Sequence, residues 1–212
     1  MKRFRIKYSK KEALKYTSGL EIQKIWERSL RRGHLPVAYS QGFHPQPRLN
    51  QAAPLPLGFT SSAEWIDIWF QDELTSEGLC ETLPKVVPPG IGILDVAEID
   101  LTTPTMQNRV SAAAYRVVFL DPISPAELSR HIDRILAATA LPRIRREKEY
   151  DLRPLIEALA LDTQAAEGAA LIMTLAARPG ATGRPEEVLL VMGLDPMETR
   201  IEKTETIFLD GE

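Results

Sequence analysis

Apolar and basic residues alternate at the start of the chain, the apolar ones being Phe4, Ile6 and Tyr8. This period of two predicts a β-strand over residues 3–8 with one buried face. Ser18 and Glu21 then form a capping-box pattern, after which apolar residues recur at helical spacing until Gly33. The sequence therefore predicts a strand followed by an amphipathic helix.

The two faces of this helix differ in polarity. The apolar face, which we expect to be buried, comprises Ile22, Ile25, Trp26 and Leu30. The opposite face, which we expect to be accessible, includes Arg28, Arg31 and Arg32. The last two cations lie in the final turn, where the helix dipole favours positive charge.

The rest of the first half predicts two more strands and a second helix. Residues 65–70 form an apolar strand, a short helix runs from Thr75 to Leu83 and is ended by Pro84, and residues 91–99 form a strand. The element order β-α-(β)-β-α-β is that of a split βαβ, or ferredoxin-like, unit.

A similar order follows the polar segment 101–112, which lacks a clear period and is the predicted boundary. The second half predicts strands at 115–120, 142–147, 169–177 and 200–209, with helices after Ser124, at 151–161 and from Pro185 to Gly193. The sequence thus predicts an α+β fold of two tandem ferredoxin-like lobes, covering residues 1–100 and 113–212.

Composition limits the class of protein. The chain has 212 residues, of which 44% are apolar, enough for one large domain or two small ones. Its single cysteine, Cys80, has no partner for an internal disulfide. No run of about 18 apolar residues is present to span a bilayer, and the first residues lack the apolar stretch of a secretory signal. We therefore expect a cytoplasmic protein that does not associate with membranes.

The charge is distributed unevenly. Residues 1–50 contain twelve Lys or Arg and three Glu, whereas the remaining residues contain fourteen basic and twenty-six acidic side chains. Such a basic segment is expected to attract phosphates or an acidic partner if its cations cluster in space. The alternative is a solvated face that the acidic remainder neutralises.

Residues for metal or cofactor chemistry are few. The three histidines, His34, His44 and His131, do not lie at ligand spacing, and one cysteine does not hold an iron–sulfur cluster. No glycine pattern typical of a phosphate-binding loop follows a predicted strand. We therefore predict no metal, no cofactor and no catalytic residue, with His131 a structural residue of its helix.

The segment from Leu35 to Leu49, directly after the basic helix, mixes aromatic, amide, imidazole and guanidinium groups in a proline-stiffened loop. This composition suits a polar, planar or phosphate-bearing ligand. The candidate binding residues of the helix and loop are Arg28, Arg31, Arg32, Tyr39, Gln41, His44, Gln46 and Arg48. The alternative is an ordered loop that covers the sheet, with Tyr39 and Phe43 in the core.

The string from Ala38 to Leu49, with Lys148, Asp151–Ile156 and Arg184–Leu189, resembles the bacterial radical SAM-linked protein family. The resemblance implies a domain of unassigned function, found beside or fused to a radical SAM enzyme. It implies a non-catalytic companion that binds this enzyme, its substrate or both. RNA is one candidate for that substrate. Where family members tend to carry histidines, this chain has Gly19 and Gln46.

Two other functions remain open from the sequence. Tandem ferredoxin-like lobes with basic helices also resemble CRISPR repeat-cleaving ribonucleases, which implies an RNA-processing or RNA-modifying enzyme. His44 or His34 would then be the general acid or base, with Arg48 or Arg32 holding phosphate. A third alternative is the subunit of a structural oligomer.

Overall fold

The computed structural model describes residues 1–53, 55–71, 74–163 and 168–209. Pro54 of the proline-rich segment and residues 210–212 of the second predicted lobe lie outside the described residues. Contacts within the chain separate two compact units, which meet in sequence between Arg109 and Val110. The chain is a mixed α/β protein, and its described residues form four α-helices.

Unit 1 consists of β1 (Lys2–Lys10), α1 (Gly19–Arg32), β2 (Leu49–Gln51), β3 (Thr60–Phe70), α2 (Ser76–Val86) and β4 (Ile91–Ile99). Its strands follow the order β2–β3–β1–β4, and each neighbouring pair is antiparallel. Strand β1 is hydrogen-bonded on both edges, which explains why it is buried along most of its length.

One face of this sheet carries the core of unit 1. The apolar side chains of β1 pack with α1, where the Trp26 ring is fully buried and meets the Tyr8 ring edge-on at 5.2 Å. Burial of Ile22, Trp26 and Leu30 confirms the predicted inner face of α1, although Ile25 is only half-buried. The outer-face cations Arg28, Arg31 and Arg32 are exposed, as predicted.

The start of α1 has the predicted capping box. The Ser18 side chain accepts a hydrogen bond from the Glu21 backbone N–H, and the Glu21 carboxylate accepts one from the Ser18 N–H at 2.7 Å. These contacts satisfy two N–H groups at the start of the helix. The Ser18 hydroxyl also donates to the Glu21 carboxylate at 2.7 Å, and this bond, together with the one from the Ser18 N–H, lowers the pKa of Glu21.

Replacing Ser18 with Ala should lower the free energy of unfolding by about 1 kcal/mol, because the cap hydrogen bonds are lost. Urea unfolding followed by circular dichroism measures this change. Ser18→Thr keeps the hydroxyl and should remain close to the wild type. An alanine variant as stable as the threonine variant would show that the cap contributes no stability.

The other face of the unit 1 sheet contains buried charge. Arg3, Arg5 and Asp67 are 1%, 7% and 0% exposed, and the two guanidinium groups converge on the single carboxylate. Arg3 also donates to the backbone carbonyl of Thr103 at 2.5 Å, so the segment after β4 closes over this cluster. The prediction that β1 has only one buried face is therefore wrong, because Arg3 and Arg5 on its basic face are buried against Asp67.

Unit 2 consists of β5 (Val110–Phe119), α3 (Pro125–Ala137), β6 (Pro142–Arg145), β7 (Lys148–Asp151), β8 (Ile156–Asp162), β9 (Ala170–Arg178), β10 (Ala181–Thr182), α4 (Pro185–Met192) and β11 (Thr199–Phe208). Strands β8, β9, β5 and β11 pair in that order, and every pairing is antiparallel. Strand β10 also pairs with β9, while β6 and β7 form a separate hairpin.

Three predicted elements differ from the structure. Pro84 does not end α2; the helix continues through it to Val86, since burial of Leu83 and Val86 outweighs the hydrogen bond that proline lacks. The predicted helix at 151–161 is a short 3₁₀ turn followed by β8, which pairs with β9. The predicted strand 142–147 is the first half of the β6–β7 hairpin.

Candidate functional site

The candidate loop of unit 1 is fixed at both legs by backbone hydrogen bonds. Tyr39 and Pro47 face each other in an antiparallel bridge, and the Ser40 N–H donates to the Gln46 carbonyl at 2.8 Å. The Ala38 N–H donates to the Trp69 carbonyl, which attaches the loop to the end of β3. The loop from Val37 to Arg48 is therefore a hairpin-like arm with a defined base.

The tip of this arm lies in solvent. Phe43 is fully exposed, Tyr39 is 45% exposed, and Gly42 has a φ of 131°, which favours glycine. The alternative that placed Tyr39 and Phe43 in the core is therefore wrong. The other exposed candidate residues of the arm are Gln41, His44 and Gln46.

A pocket of about 270 Å³ lies between the end of α1 and the base of the arm. Its lining includes the predicted residues Arg31 and Tyr39, joined by His34, which has a φ of 51° just after the helix. The remaining candidates, which do not line this pocket, are Arg28, Arg32, Gln41, His44, Gln46 and Arg48. We call all of the predicted binding residues together with Phe43 the helix-loop surface.

The cations of the helix-loop surface differ in their surroundings. Within the part of the chain that the structure describes, the side chains of Arg28, Arg31 and Arg32 make no ion pair or hydrogen bond, so their charge faces solvent. Arg48 is half-buried and stacks over the Trp69 ring, with its guanidinium carbon 4.9 Å from the ring centroid. Arg48 is thereby held by a cation–π contact at the base of the arm.

Some of the basic residues in segment 1–50 are buried and add no positive charge to the protein surface. Arg3 and Arg5 are buried and share the carboxylate of Asp67. Lys10 is also buried and donates to the carbonyls of Lys15 and Thr17. Burial lowers the pKa of Lys10, and the nearby Glu64 carboxylate opposes that change. Exposed positive charge at the candidate site thus comes from α1.

A second site, in unit 2, was not singled out from the sequence as a binding site. A pocket of about 640 Å³ lies beside the β6–β7 hairpin. It is lined by Arg145, Arg146, Lys148, Tyr150, Asp151, Leu155, Gly180, Ala181, Thr182 and Arg184. We call it the hairpin pocket. The signal in the sequence is the run Arg143-Ile144-Arg145-Arg146-Glu147-Lys148, in which cations outnumber acidic residues four to one.

Two ionisable residues of the hairpin pocket have shifted pKa values. The Asp151 carboxylate accepts hydrogen bonds from the Leu141 and Arg153 backbone N–H groups, which lower its pKa. Burial, reinforced by the charge of Glu187, raises the pKa of the Tyr150 hydroxyl. At neutral pH the pocket therefore contains an ionised carboxylate and a neutral phenol beside its cations.

Residues 3–185 match the model of a family described as an uncharacterized protein conserved in bacteria (DUF2344). This match covers most of the chain, and the protein therefore belongs to this family. No curated protein matches the chain. The family description names no activity, ligand or partner.

Two classes of feature are missing from the residues that the structure describes. None of the helices there has the length and apolar character that crossing a membrane requires. No group of three or more His, Cys, Asp or Glu side chains is arranged there to hold a metal ion.

Proposed function

We propose that the protein is a non-catalytic companion that recognises a protein partner through the helix-loop surface of unit 1. The observation that carries this proposal is the fully exposed Phe43 ring at the tip of an arm whose legs are hydrogen-bonded. Aromatic side chains that become buried at an interface supply much of its binding energy. An arm with a fixed base loses little conformational entropy when it binds.

The charge of α1 defines the chemistry of the partner. Arg28, Arg31 and Arg32 are exposed without partners among the described residues, and they complement an acidic surface. Following the resemblance of the chain to radical SAM-linked proteins, we propose that this partner is a radical SAM enzyme. The companion would then hold the enzyme, its substrate or both, in the cytoplasm.

We further propose that each unit is a split βαβ, or ferredoxin-like, lobe. The antiparallel order β2–β3–β1–β4 in unit 1 supports this assignment. The order β8–β9–β5–β11 in unit 2 is equivalent when β6, β7 and β10 are treated as additions. In both units the helices follow the first and third strands of the equivalent set.

Reversing the charges of Arg31 and Arg32 to Glu should weaken binding to the proposed radical SAM partner by at least about tenfold at 50 mM salt. The effect should fall mainly on the association rate and shrink at 200 mM salt, because salt screens exposed charges. Phe43→Ala should instead accelerate dissociation. Surface plasmon resonance with the immobilised enzyme measures both rates.

The matched controls are Arg130→Ala, an exposed cation of α3, and Tyr16→Ala, an aromatic that is 78% exposed elsewhere in unit 1. Both should bind like the wild type. If the charge-reversal variant and Phe43→Ala both fold and bind like the wild type, the helix-loop surface does not contact the partner. A parallel titration with bulk tRNA provides the comparison. If the protein bound tRNA more tightly than the enzyme, RNA would be favoured as the ligand.

A second candidate function is RNA processing, which is supported by the pocket of about 270 Å³ between the end of α1 and the base of the arm. This pocket combines the imidazole of His34, the guanidinium of Arg31 and the ring of Tyr39. These are groups for proton transfer, phosphate binding and base stacking. Cleavage of a structured RNA by the wild type, abolished in His34→Ala, would establish this function in place of the first. His44→Ala tests the other candidate base in the same assay.

A further inference from the structure

We propose that the hairpin pocket of unit 2 binds the phosphate groups of a small phosphorylated molecule of nucleotide size. This site is separate from the proposed partner surface of unit 1, and no part of the argument depends on that surface.

The wall of the pocket is built from three structural elements. The β6–β7 hairpin contributes Arg145, Arg146 and Lys148, the turn between β9 and β10 contributes Gly180, and the start of α4 contributes Arg184. The hairpin is joined to α4 by an ion pair between Arg143 and Glu187 at 2.6 Å. A volume of about 640 Å³ is within the range of pockets for small ligands and cofactors.

The cations of the pocket are not neutralised by the protein. Among the described residues, the side chains of Arg145, Arg146, Lys148 and Arg184 form no ion pair or hydrogen bond. The Nε atom of Arg184 is buried without a hydrogen-bond partner. A buried donor that lacks a partner costs free energy, which an anionic ligand would recover.

Asp151, the one carboxylate in the lining, does not cancel this charge. Its Oδ1 atom accepts the N–H groups of Leu141 and Arg153 and thereby fixes the base of the hairpin. Four cations therefore share the pocket with a single carboxylate that is engaged in holding the backbone. Arginine binds phosphate through paired, charge-assisted hydrogen bonds, which makes phosphate the best-matched anion.

The turn of the hairpin adopts a strained conformation that presents a cation at the pocket. Arg146 and Glu147 have φ values of 48° and 64°, as in a type I′ turn, whose positions favour Asn and Gly. Strain of this kind is typically retained at sites with a function. Here the strained residue Arg146 lines the pocket.

Tyr150 defines the size and polarity of the ligand beyond its phosphate. Its ring is half-buried in the pocket wall and offers a face for a planar group, while its neutral hydroxyl is a hydrogen-bond donor. Phosphate alone would leave most of the volume unfilled. A nucleotide supplies both a planar ring and a chain of phosphates.

Isothermal titration calorimetry with ATP, AMP, pyrophosphate and adenosine tests the proposal on the full-length protein. ATP should bind more tightly than AMP, and its affinity should fall between 50 and 200 mM salt. Adenosine should bind at least about tenfold more weakly than ATP, because it lacks the charge that the arginines recognise. Pyrophosphate that binds as tightly as ATP would support recognition of the phosphate groups and overturn the inference of a nucleotide-sized ligand.

Arg145→Ala and Arg184→Ala should each weaken ATP binding by about tenfold, whereas Arg130→Ala, which removes an exposed cation outside the pocket, should not. Arg146→Asn separates binding from folding. It removes a cation but suits a positive φ, so the melting temperature should be maintained or raised while ATP affinity falls.

Glu147→Gly is the matched control for backbone strain. Glycine adopts the positive φ of this turn position readily, and the variant keeps every cation of the pocket. It should raise the melting temperature without weakening ATP binding. Failure of both ATP and pyrophosphate to bind at millimolar concentration would overturn the proposal. So would binding that Arg145→Ala and Arg184→Ala leave at the wild-type value.

Discussion

Replacing Asp67 with Asn should lower the free energy of unfolding by about 3–5 kcal/mol. Asn has nearly the shape of Asp but no charge, so the buried guanidinium groups of Arg3 and Arg5 would lose the carboxylate on which they converge. The Asp67 carboxylate accepts hydrogen bonds from both guanidinium groups, including one from Arg5 Nε at 3.1 Å. Guanidinium-induced unfolding, followed by tryptophan fluorescence, measures the loss.

The control for this experiment is Asp95→Asn on β4, where the side chain is exposed. It should change stability by less than about 0.5 kcal/mol. Replacing the whole cluster by Met, Met and Leu should recover much of the loss, because no unpaired charge then remains buried. An Asp67→Asn variant within about 1 kcal/mol of the wild type would contradict the role assigned to the cluster.

Truncation of Trp26 to Ala should also lower the free energy of unfolding by about 3–5 kcal/mol. The ring is fully buried between α1 and the sheet, and its edge-on contact with Tyr8 would be lost along with its apolar burial. Urea unfolding followed by far-ultraviolet circular dichroism measures the change, since the assay then does not depend on the deleted fluorophore.

Two comparisons define what the Trp26 result means. Trp26→Phe retains a ring and should lose clearly less stability than Trp26→Ala. Tyr16→Ala, which shortens an exposed aromatic, should change stability by less than about 0.5 kcal/mol. A loss below about 1 kcal/mol for Trp26→Ala would show that the inner face of α1 is misassigned.

Much of the fold follows from local signals in the sequence. Helix α1 has a capping box, a 3.6-residue apolar period and a glycine at its end, and all three describe the same segment. The start of helix α3 is likewise predicted by Ser124 as its N-cap and Pro125 at its first position. Where local preference and tertiary packing agree, as in these helices, the pattern predicts the element and its buried face.

Packing overrides local preference in the elements that were predicted wrongly. The segment Ile156–Asp162 contains two Ala, two Leu and one Glu, which favour helix, yet its strand is fixed by pairing with β9. The same holds for charge: Arg3 and Arg5 have the spacing of a solvated face, yet both are buried against Asp67 on the neighbouring strand. A partner more than sixty residues away leaves no local signal.

For the candidate sites too, local sequence predicts some features and tertiary packing determines the others. The sequence identified the loop after α1 from its composition, and exposure of Phe43 depends on backbone pairing at the base of the arm. The hairpin pocket combines Arg145 with Arg184, thirty-nine positions later, and their proximity follows from the packing of the β6–β7 hairpin against α4. A short cationic run alone does not show where its charges converge.

The β6–β7 hairpin lies outside the four paired strands of unit 2, and this separation makes its turn independent of their register. The hairpin forms its own two-stranded sheet, connected to α4 by the pair of Arg143 and Glu187. Its turn can therefore change in length or sequence without altering the register of β8, β9, β5 and β11. A change in the hairpin would then alter the contribution of Arg145, Arg146 and Lys148 to the hairpin pocket while the strand pairing of the unit is kept.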